Sequence, residues 1–181
     1  MSSKEDLQIL FMLRNKKTRD DGFRLLMNRY NKKIYWYIRR LVVLHEDAED
    51  ILQETFINVY RYADNFKGES SIYTWLYKIA TNECIRHFNK SKKELQKVEI
   101  TKIVVDNFKT SNSESEEAIL MKFQSAILQL SEKQRIVFNM RYYENLSYKE
   151  MADILNSSEN ALKTNYHYAT KKIKAYLKET E

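Results

Sequence analysis

Few side chains in this sequence are grouped so as to make or break bonds. One cysteine, Cys84, and three histidines are spread over 181 residues. Cys84 and His87 lie one helical turn apart, but His45 and His167 supply no second ligand pair, and a structural zinc needs about four ligands. No metal and no cofactor is expected. Carboxylates crowd HEDAEDILQETFINVYR, where Glu46, Asp47, Glu49, Asp50 and Glu54 fall within nine residues. Paired carboxylates suit acid–base catalysis, yet no nucleophile or metal triad accompanies them, so no enzyme is expected. What remains is non-covalent chemistry. FKGESSIYTWLYKIATN, residues 66–82, sets Gly68, Glu69, Ser70 and Ser71 directly before Tyr73, Trp75 and Tyr77. Hydrogen-bonding groups and flat rings stand side by side where a core helix would use leucine.

The elements that must carry these groups are helices. The chain has no proline and only two glycines, too few turn residues for a sheet-rich fold. Apolar residues recur at three- and four-residue spacing. Leu7, Leu10 and Phe11 mark a short first helix. Phe23, Leu26, Met27, Tyr30, Ile34, Tyr37, Ile38 and Leu41 mark a long second one. A third, over 46–62, turns Ala48, Leu52, Thr55, Phe56 and Val59 inward, and a fourth, over 72–89, does so with Ile72, Leu76, Ile79, Ala80 and Glu83. Residues 93–117 lose the helical period and end in TSNSESE, which reads as a flexible linker; ITKIVV within it is either a short extended segment or a docking peptide. Beyond it, Ser113-x-x-Glu116, Ser131-x-x-Gln134 and Ser147-x-x-Glu150 read as capping boxes, and a last helix follows Asn156-Ser157-Ser158 with Leu162, Tyr166, Ala169, Ile173 and Leu177 inward. The fold class is all-α: two small helical domains, 1–92 and 118–181, joined by a flexible linker, the second containing a helix-turn-helix.

Net charge is +6. Residues 1–92 carry 17 basic against 12 acidic side chains, 93–117 carry 4 against 6, and 118–181 carry 10 against 7. Two basic modules around an acidic middle suit a polyanionic partner. No apolar run is long enough to span a membrane, and the first residues lack a signal peptide's apolar segment. With one cysteine there is no internal disulfide, which fits a reducing cytoplasm.

LSYKEMADILNSSENALKTNYHYATKK has the spacing of a DNA-reading helix-turn-helix. Asn156 suits the left-handed turn. On the last helix Asn160, Thr164, His167 and Lys171 lie opposite the apolar stripe, with Lys163 and Tyr168 flanking and Ser158 just before; such groups reach base edges and phosphates. On the third helix a macrodipole explains acids in the first turn but not Glu54. Asp50, Gln53, Glu54 and Ile57 share a face away from the core, which asks for a basic protein partner.

Together these stretches resemble the extracytoplasmic-function sigma factors of bacterial RNA polymerase. DAEDILQETFINVYR is similar to the family's core-polymerase-binding helix, FKGESSIYTWLYKIATN to its promoter-melting segment, and LSEKQRIVFNMRYYENLSYKEMADIL to the start of its C-terminal promoter-binding domain. The order matches along almost the whole chain. The resemblance implies core contacts at Asp50, Gln53, Glu54, Ile57 and Arg61, with the polymerase clamp helices and flap as partners and the linker threading its product channel. It implies minus-ten DNA contacts at Asn65, Phe66, Lys67, Gly68, Glu69, Ser70, Ser71, Tyr73, Thr74, Trp75, Tyr77, Lys78 and Asn82, where a loop captures flipped bases and rings stack on them. Trp75 fits the core and the DNA fork equally. Minus-thirty-five contacts fall at Ser158, Asn160, Lys163, Thr164, His167, Tyr168 and Lys171. An anti-sigma factor is a further possible partner. The chain departs from the family at Leu130-Ser131, where leucine-proline is usual, at Arg86, where an acid is usual, and at Asn165 and Tyr168, where arginines are common. A stand-alone helix-turn-helix regulator is the alternative reading, and leaves the acidic helix and the ring-rich loop unused. A pure protein-interaction bundle also accommodates exposed rings, but has no need of base capture.

Overall fold

The computed structural model describes residues 4–42, 44–66, 68, 70–95 and 116–179. All regular structure among them is helical: α1 Lys4–Arg14, α2 Arg19–Leu41, α3 His45–Tyr62, a 3₁₀ turn Ala63–Asn65, α4 Ile72–Leu95, α5 Glu116–Leu128, α6 Glu132–Tyr142, α7 Tyr148–Leu155 and α8 Glu159–Glu179. The chain divides between Asn89 and Lys90 into two compact units. The linker residues 96–115, with ITKIVV and the Ser113 cap, lie outside the described residues.

In the first unit α2 is the central helix. Leu26, Tyr30, Ile34, Tyr37, Ile38 and Leu41 are buried along it, the stripe that the periodicity predicts. α1 packs on its N-terminal half, and Gly22 sets how closely: a Cβ there would stand 2.8 Å from Met12 Cβ and 2.9 Å from the Leu13 backbone nitrogen. The approach turns Ile9, Leu10 and Leu13 inward and leaves Leu7 and Phe11 58% and 72% exposed, so two of the three expected core residues of α1 face out. Polar groups tie the same pair of helices. Tyr30 donates to Asp6 Oδ1 at 2.7 Å, Arg29 Nε lies 3.1 Å from Asp6, and Arg29 also meets Glu5. Burial first, then the bond to Asp6, pushes the Tyr30 hydroxyl up to about 12.

α3 buries Ala48, Ile51, Thr55, Phe56 and Val59; Ile51 takes the inward place expected of Leu52, which is half-buried. α4 buries Ile72, Leu76, Tyr77, Ala80 and Cys84, while Ile79 is half-buried. Buried Glu83 joins α4 to α3, accepting from Asn58 Nδ2 at 2.9 Å and from Arg86 at 2.8 Å; a buried carboxylate is retained only when so bonded.

In the second unit α5, α6 and α7 gather on α8. Ala126, Ile127, Leu130, Phe138, Ala169 and Ile173 form its core, with Tyr166 and Leu177 packed at its edge. Ser147 and Glu150 make a full reciprocal cap for α7, and its bonds, chiefly from the Ser147 side chain, hold the Glu150 carboxyl below the usual range. Ser131 makes only its own half of a box, accepting from the Gln134 nitrogen at 3.4 Å.

Candidate functional site

Three surfaces carry the residues singled out by sequence. The first is a groove of about 720 Å³ between α2 and α3. Phe23, Met27, Phe56 and Tyr60 line it with rings and methylenes, while Glu49, Asp50 and Gln53 bring polar groups and Ile57 a further apolar one. Ile57 is 41% exposed, and Glu54 and Arg61 are exposed on the same helix. An apolar floor with carboxylates beside it suits a basic, amphipathic helix from another protein. Periodicity puts Phe23 and Met27 on the apolar stripe of α2, but the structure leaves both half-buried and makes them, with Asn31, the α2 wall of this groove.

The second surface is the loop between α3 and α4. Asn65 is exposed at the end of the 3₁₀ turn. Gly68 has φ +82°, a conformation that glycine alone enters without strain. Ser70 and Ser71 are half-buried, and Asn82 is exposed further along α4. The Ser71 hydroxyl accepts from the Thr74 nitrogen at 3.0 Å and bonds Thr74 Oγ1 at 2.9 Å, so it caps α4.

Three of the residues assigned to DNA contacts here are buried, and their part is structural. Tyr77 is fully buried, 4.7 Å from the Tyr37 ring and 4.3 Å from Tyr73. It shares a face with Thr81 and Cys84 one and two turns on, the side of α4 that packs on α2, so it offers no surface for a base. Thr74 is buried against the Ser71 cap. Phe66 is buried beneath Trp75, ring centres 4.8 Å apart. Trp75 itself, Tyr73 and Lys78 are half-buried, so the Trp75 ring serves both core and surface. Lys67 and Glu69 lie outside the described residues.

Sequence reasoning missed two arginines at the α1–α2 corner. Arg14 donates to the Phe66 carbonyl and is the nearest group to the Cβ position of Gly68, at 3.8 Å. Arg19 pairs with Asp64 and donates to the Leu13 carbonyl at 3.0 Å. These contacts join residues 45 and 52 positions apart for the two side-chain bonds to Asp64 and Phe66, beyond the reach of any local pattern.

The third surface is α8 behind its turn. Asn156 sits at φ 47°, ψ 50°, and the Ser157 nitrogen bonds back to the Ala152 carbonyl at 3.2 Å. Ser158 caps α8 by accepting from the Ala161 nitrogen at 3.2 Å. Asn160, Lys163, Thr164, His167, Tyr168 and Lys171 are all exposed. Thr164, itself exposed, turns its hydroxyl back to the Asn160 carbonyl at 2.9 Å. Lys163 lies over the Tyr148 ring at 5.6 Å.

Residues 26–94 match the family model described as Sigma-70 region 2, and residues 120–173 match Sigma-70, region 4. The chain is 30% identical to the ECF RNA polymerase sigma factor SigW of Bacillus subtilis over 174 residues, 91% of this chain and 93% of that one. It belongs to the extracytoplasmic-function sigma factors. The ECF RNA polymerase sigma-E factor of Escherichia coli is 34% identical over 146 residues, covering 75% of each chain. Among solved structures, CnrH in complex with the cytosolic domain of CnrY superposes with a TM-score of 0.71 at 17% identity, over 98% of this chain and 100% of that one. RpoE from Bartonella quintana in complex with the anti-sigma factor NepR gives 0.69 at 22%, over 86% and 96%. These two likenesses speak for the fold.

As a sigma factor the protein binds core RNA polymerase and directs promoter recognition, DNA melting and transcription initiation; sigma factors are not enzymes. A stand-alone helix-turn-helix regulator is not favoured, because it accounts for region 4 and leaves region 2 without a task. Among the described residues no helix is long and apolar enough to cross a membrane.

Proposed function

We propose that the three surfaces divide the work of initiation. The α2–α3 groove, with Asp50, Gln53, Glu54, Ile57 and Arg61 around it, receives the polymerase clamp helices. The loop at Asn65, Gly68, Ser70 and Ser71, with Tyr73, Trp75, Lys78 and Asn82, captures non-template bases of the minus-ten element. α8 reads the minus-thirty-five element through Asn160, Thr164 and His167, with Lys163, Tyr168 and Lys171 on the backbone, and the flap receives the second unit. The domains proposed with these roles are 1–92 and 118–181 around a linker at 93–117, although α4 runs three residues beyond the first limit, to Leu95, and α5 begins two residues before the second, at Glu116.

The observation that carries this reading is the loop. An exposed amide, Asn65, and two half-buried hydroxyls, Ser70 and Ser71, flank a left-handed glycine in the same short stretch as a Phe66–Trp75 ring pair whose Trp75 is half-buried. A flipped base needs hydrogen bonds on its edge and an aromatic or apolar surface on its face, and this loop offers both within a few residues. Opening DNA without ATP hydrolysis requires that such capture offset the cost of unstacking. The protein itself catalyses no reaction in this scheme and works in the cytoplasm. The partners in the CnrH–CnrY and RpoE–NepR structures support a further reading, that an anti-sigma factor also binds this chain.

Purified protein added to core polymerase in run-off transcription across a promoter library tests the proposal. Start sites that depend on the protein, with permanganate-reactive thymines around the minus-ten position, are expected. Transcription that is unchanged by Asn65→Ala combined with Ser70→Ala would remove the loop from the scheme.

A further inference from the structure

Between Asp21 and Glu46 the sequence contains no acidic residue and six basic ones, Arg24, Arg29, Lys32, Lys33, Arg39 and Arg40. Nearly all of this run is α2. Internal partners engage several of these side chains. Arg29 turns to Glu5 and Asp6 on α1, Arg24 meets Asp21 at 3.4 Å, and Arg39 donates to the Val42 carbonyl at 3.1 Å. Lys32 and Lys33 are exposed, and among the described residues neither has a carboxylate partner. One turn further along the same face Trp36 is 49% exposed, with its ring edge-on to Tyr35 at 5.3 Å. Arg40 follows at the next turn. A large indole left half in water between cations asks for a partner that is both anionic and able to cover a ring.

We propose that this outer face of α2 is a second DNA-binding surface, which takes the phosphate backbone of double-stranded promoter DNA beside the melted segment. It rests on the assignment of α4 to the minus-ten element. Two observations favour a duplex over another occupant. The face lies beside α4: buried Tyr37, next in the chain to Trp36, bonds Thr81 Oγ1 at 2.8 Å and meets the Tyr77 ring at 4.7 Å, so α2 packs on the helix that carries Lys78 and Asn82 into the proposed DNA contact. The chemistry is that of positioning rather than reading. Lysines contact phosphates as point charges without regard to sequence, and Lys32, Lys33 and Trp36 include no hydroxyl or amide to read a base edge. The opposite side of α2 faces the groove bordered by Glu49 and Asp50, so the module is polarised, with the anionic ligand and the polymerase kept on different sides.

The test uses holoenzyme assembled with the full chain carrying Lys32→Ala and Lys33→Ala, and separately Trp36→Ala. Three affinities are measured: for core polymerase, for a single-stranded minus-ten oligonucleotide, and for a duplex promoter across a salt series. Loss of two phosphate contacts lowers the slope of log affinity against log salt by about 2, so between about 50 and about 200 mM salt the wild type loses about twelvefold more affinity than the lysine variant. Trp36→Ala should lower duplex affinity severalfold with the slope unchanged, while core and single-strand binding stay at wild-type values. An unchanged slope in the lysine variant overturns the proposal. So does a weakened association with core polymerase, which would make the face a protein interface, or an equal loss on the single strand. Failure of the wild type to bind the minus-ten oligonucleotide would instead refute the underlying assignment of the loop and α4, and the salt slope would still report on α2.

Discussion

Adding one methyl group at Gly22 should impair promoter opening from a distance. The Cβ of Gly22→Ala would stand 2.8 Å from Met12 Cβ and 2.9 Å from the Leu13 nitrogen, closer than packed atoms come. Both are fixed parts of α1, so the helix has to move. Helix propensity alone favours the substitution by about 1 kcal/mol, and overpacking of a close helix crossing costs about 1–3 kcal/mol. With backbone as one of the clashing groups the upper part of that range applies, and a net loss of about 1–2 kcal/mol is expected. Gly22→Val has the larger clash and a β-branched side chain, and should cost about 3 kcal/mol. The ceiling is set by complete detachment of α1, which would expose Ile9, Leu10 and Leu13 at roughly 1.5–3 kcal/mol each. Because α1 carries Arg14, its displacement also withdraws the group that holds the Phe66 carbonyl. Denaturant melts of the protein give the stability change, and permanganate footprints with core titration give the functional one. Opening should fall while core association stays, since the groove is lined by α2 and α3 alone. An Ala variant stabilised by the full propensity gain would show that α1 does not lie this close to α2.

Other substitutions separate the remaining surfaces. Glu54→Lys should weaken association with core polymerase by about 2–5 kcal/mol, if its contact is buried and charge-paired, with the helical content unchanged; titration of core with the variant decides it. Asn65→Ala with Ser70→Ala should slow open-complex formation more than closed-complex binding and be rescued by a pre-melted bubble, because the loss acts on unstacking. Glu150→Ala should cost about 0.5–2 kcal/mol through the α7 cap; as its folded carboxyl is held low, that contribution is present above the ordinary glutamate pKa and fades as pH falls through the lowered value, which a pH series of melts on both proteins would follow. Selection from randomised promoters should yield a minus-thirty-five element rich in A and T, since asparagine suits adenine and a threonine methyl suits thymine; Lys171→Ala should weaken all sequences alike, and a guanine-anchored element independent of Asn160 and Thr164 would contradict the reading.

Helix ends were the most legible part of this sequence, because they are set by local bonds. Ser147 with Glu150, and Asn156 in its left-handed turn, act within four residues of themselves. Faces were less legible where a segment offers two of them. α1 has apolar residues at 7 and at 9 through 13, enough for either of two stripes, and the choice is made by Gly22 on another helix. Tyr77 was misassigned for a related reason. Its ring type suggested stacking on DNA, but its place on α4 is fixed by Tyr37, forty positions away in the chain. The loop's support by Arg14 and Arg19 had no local signature. Both guanidinium groups reach across from the α1–α2 corner to a segment that the sequence places on the far side of two helices.

The free protein already uses several of the hydroxyls proposed to meet DNA. Ser71 caps α4, Ser158 caps α8, and Thr164 bonds back to the Asn160 carbonyl. Each hydroxyl keeps the bonding capacity that its internal bond leaves over, but a base that competes for the engaged lone pair or hydrogen must exchange an existing bond for a new one, and the net worth of such an exchange is about 1 kcal/mol at best. Each of the two caps also stabilises its helix by about 1 kcal/mol, so breaking it loosens the element that presents the site. If α8 reads the minus-thirty-five element as proposed, discrimination should rest most on groups that no internal bond engages. The Asn160 amide is exposed and makes no side-chain bond among the described residues, and Thr164, whose hydroxyl hydrogen is engaged, is expected to contribute through its methyl. In the loop the same reasoning shifts the weight from Ser71 to Asn65 and the backbone around Gly68. On the proposed reading the hydroxyl-rich sequence does two jobs with different residues: the caps hold the helices in place, and the amides beside them are left to do the reading.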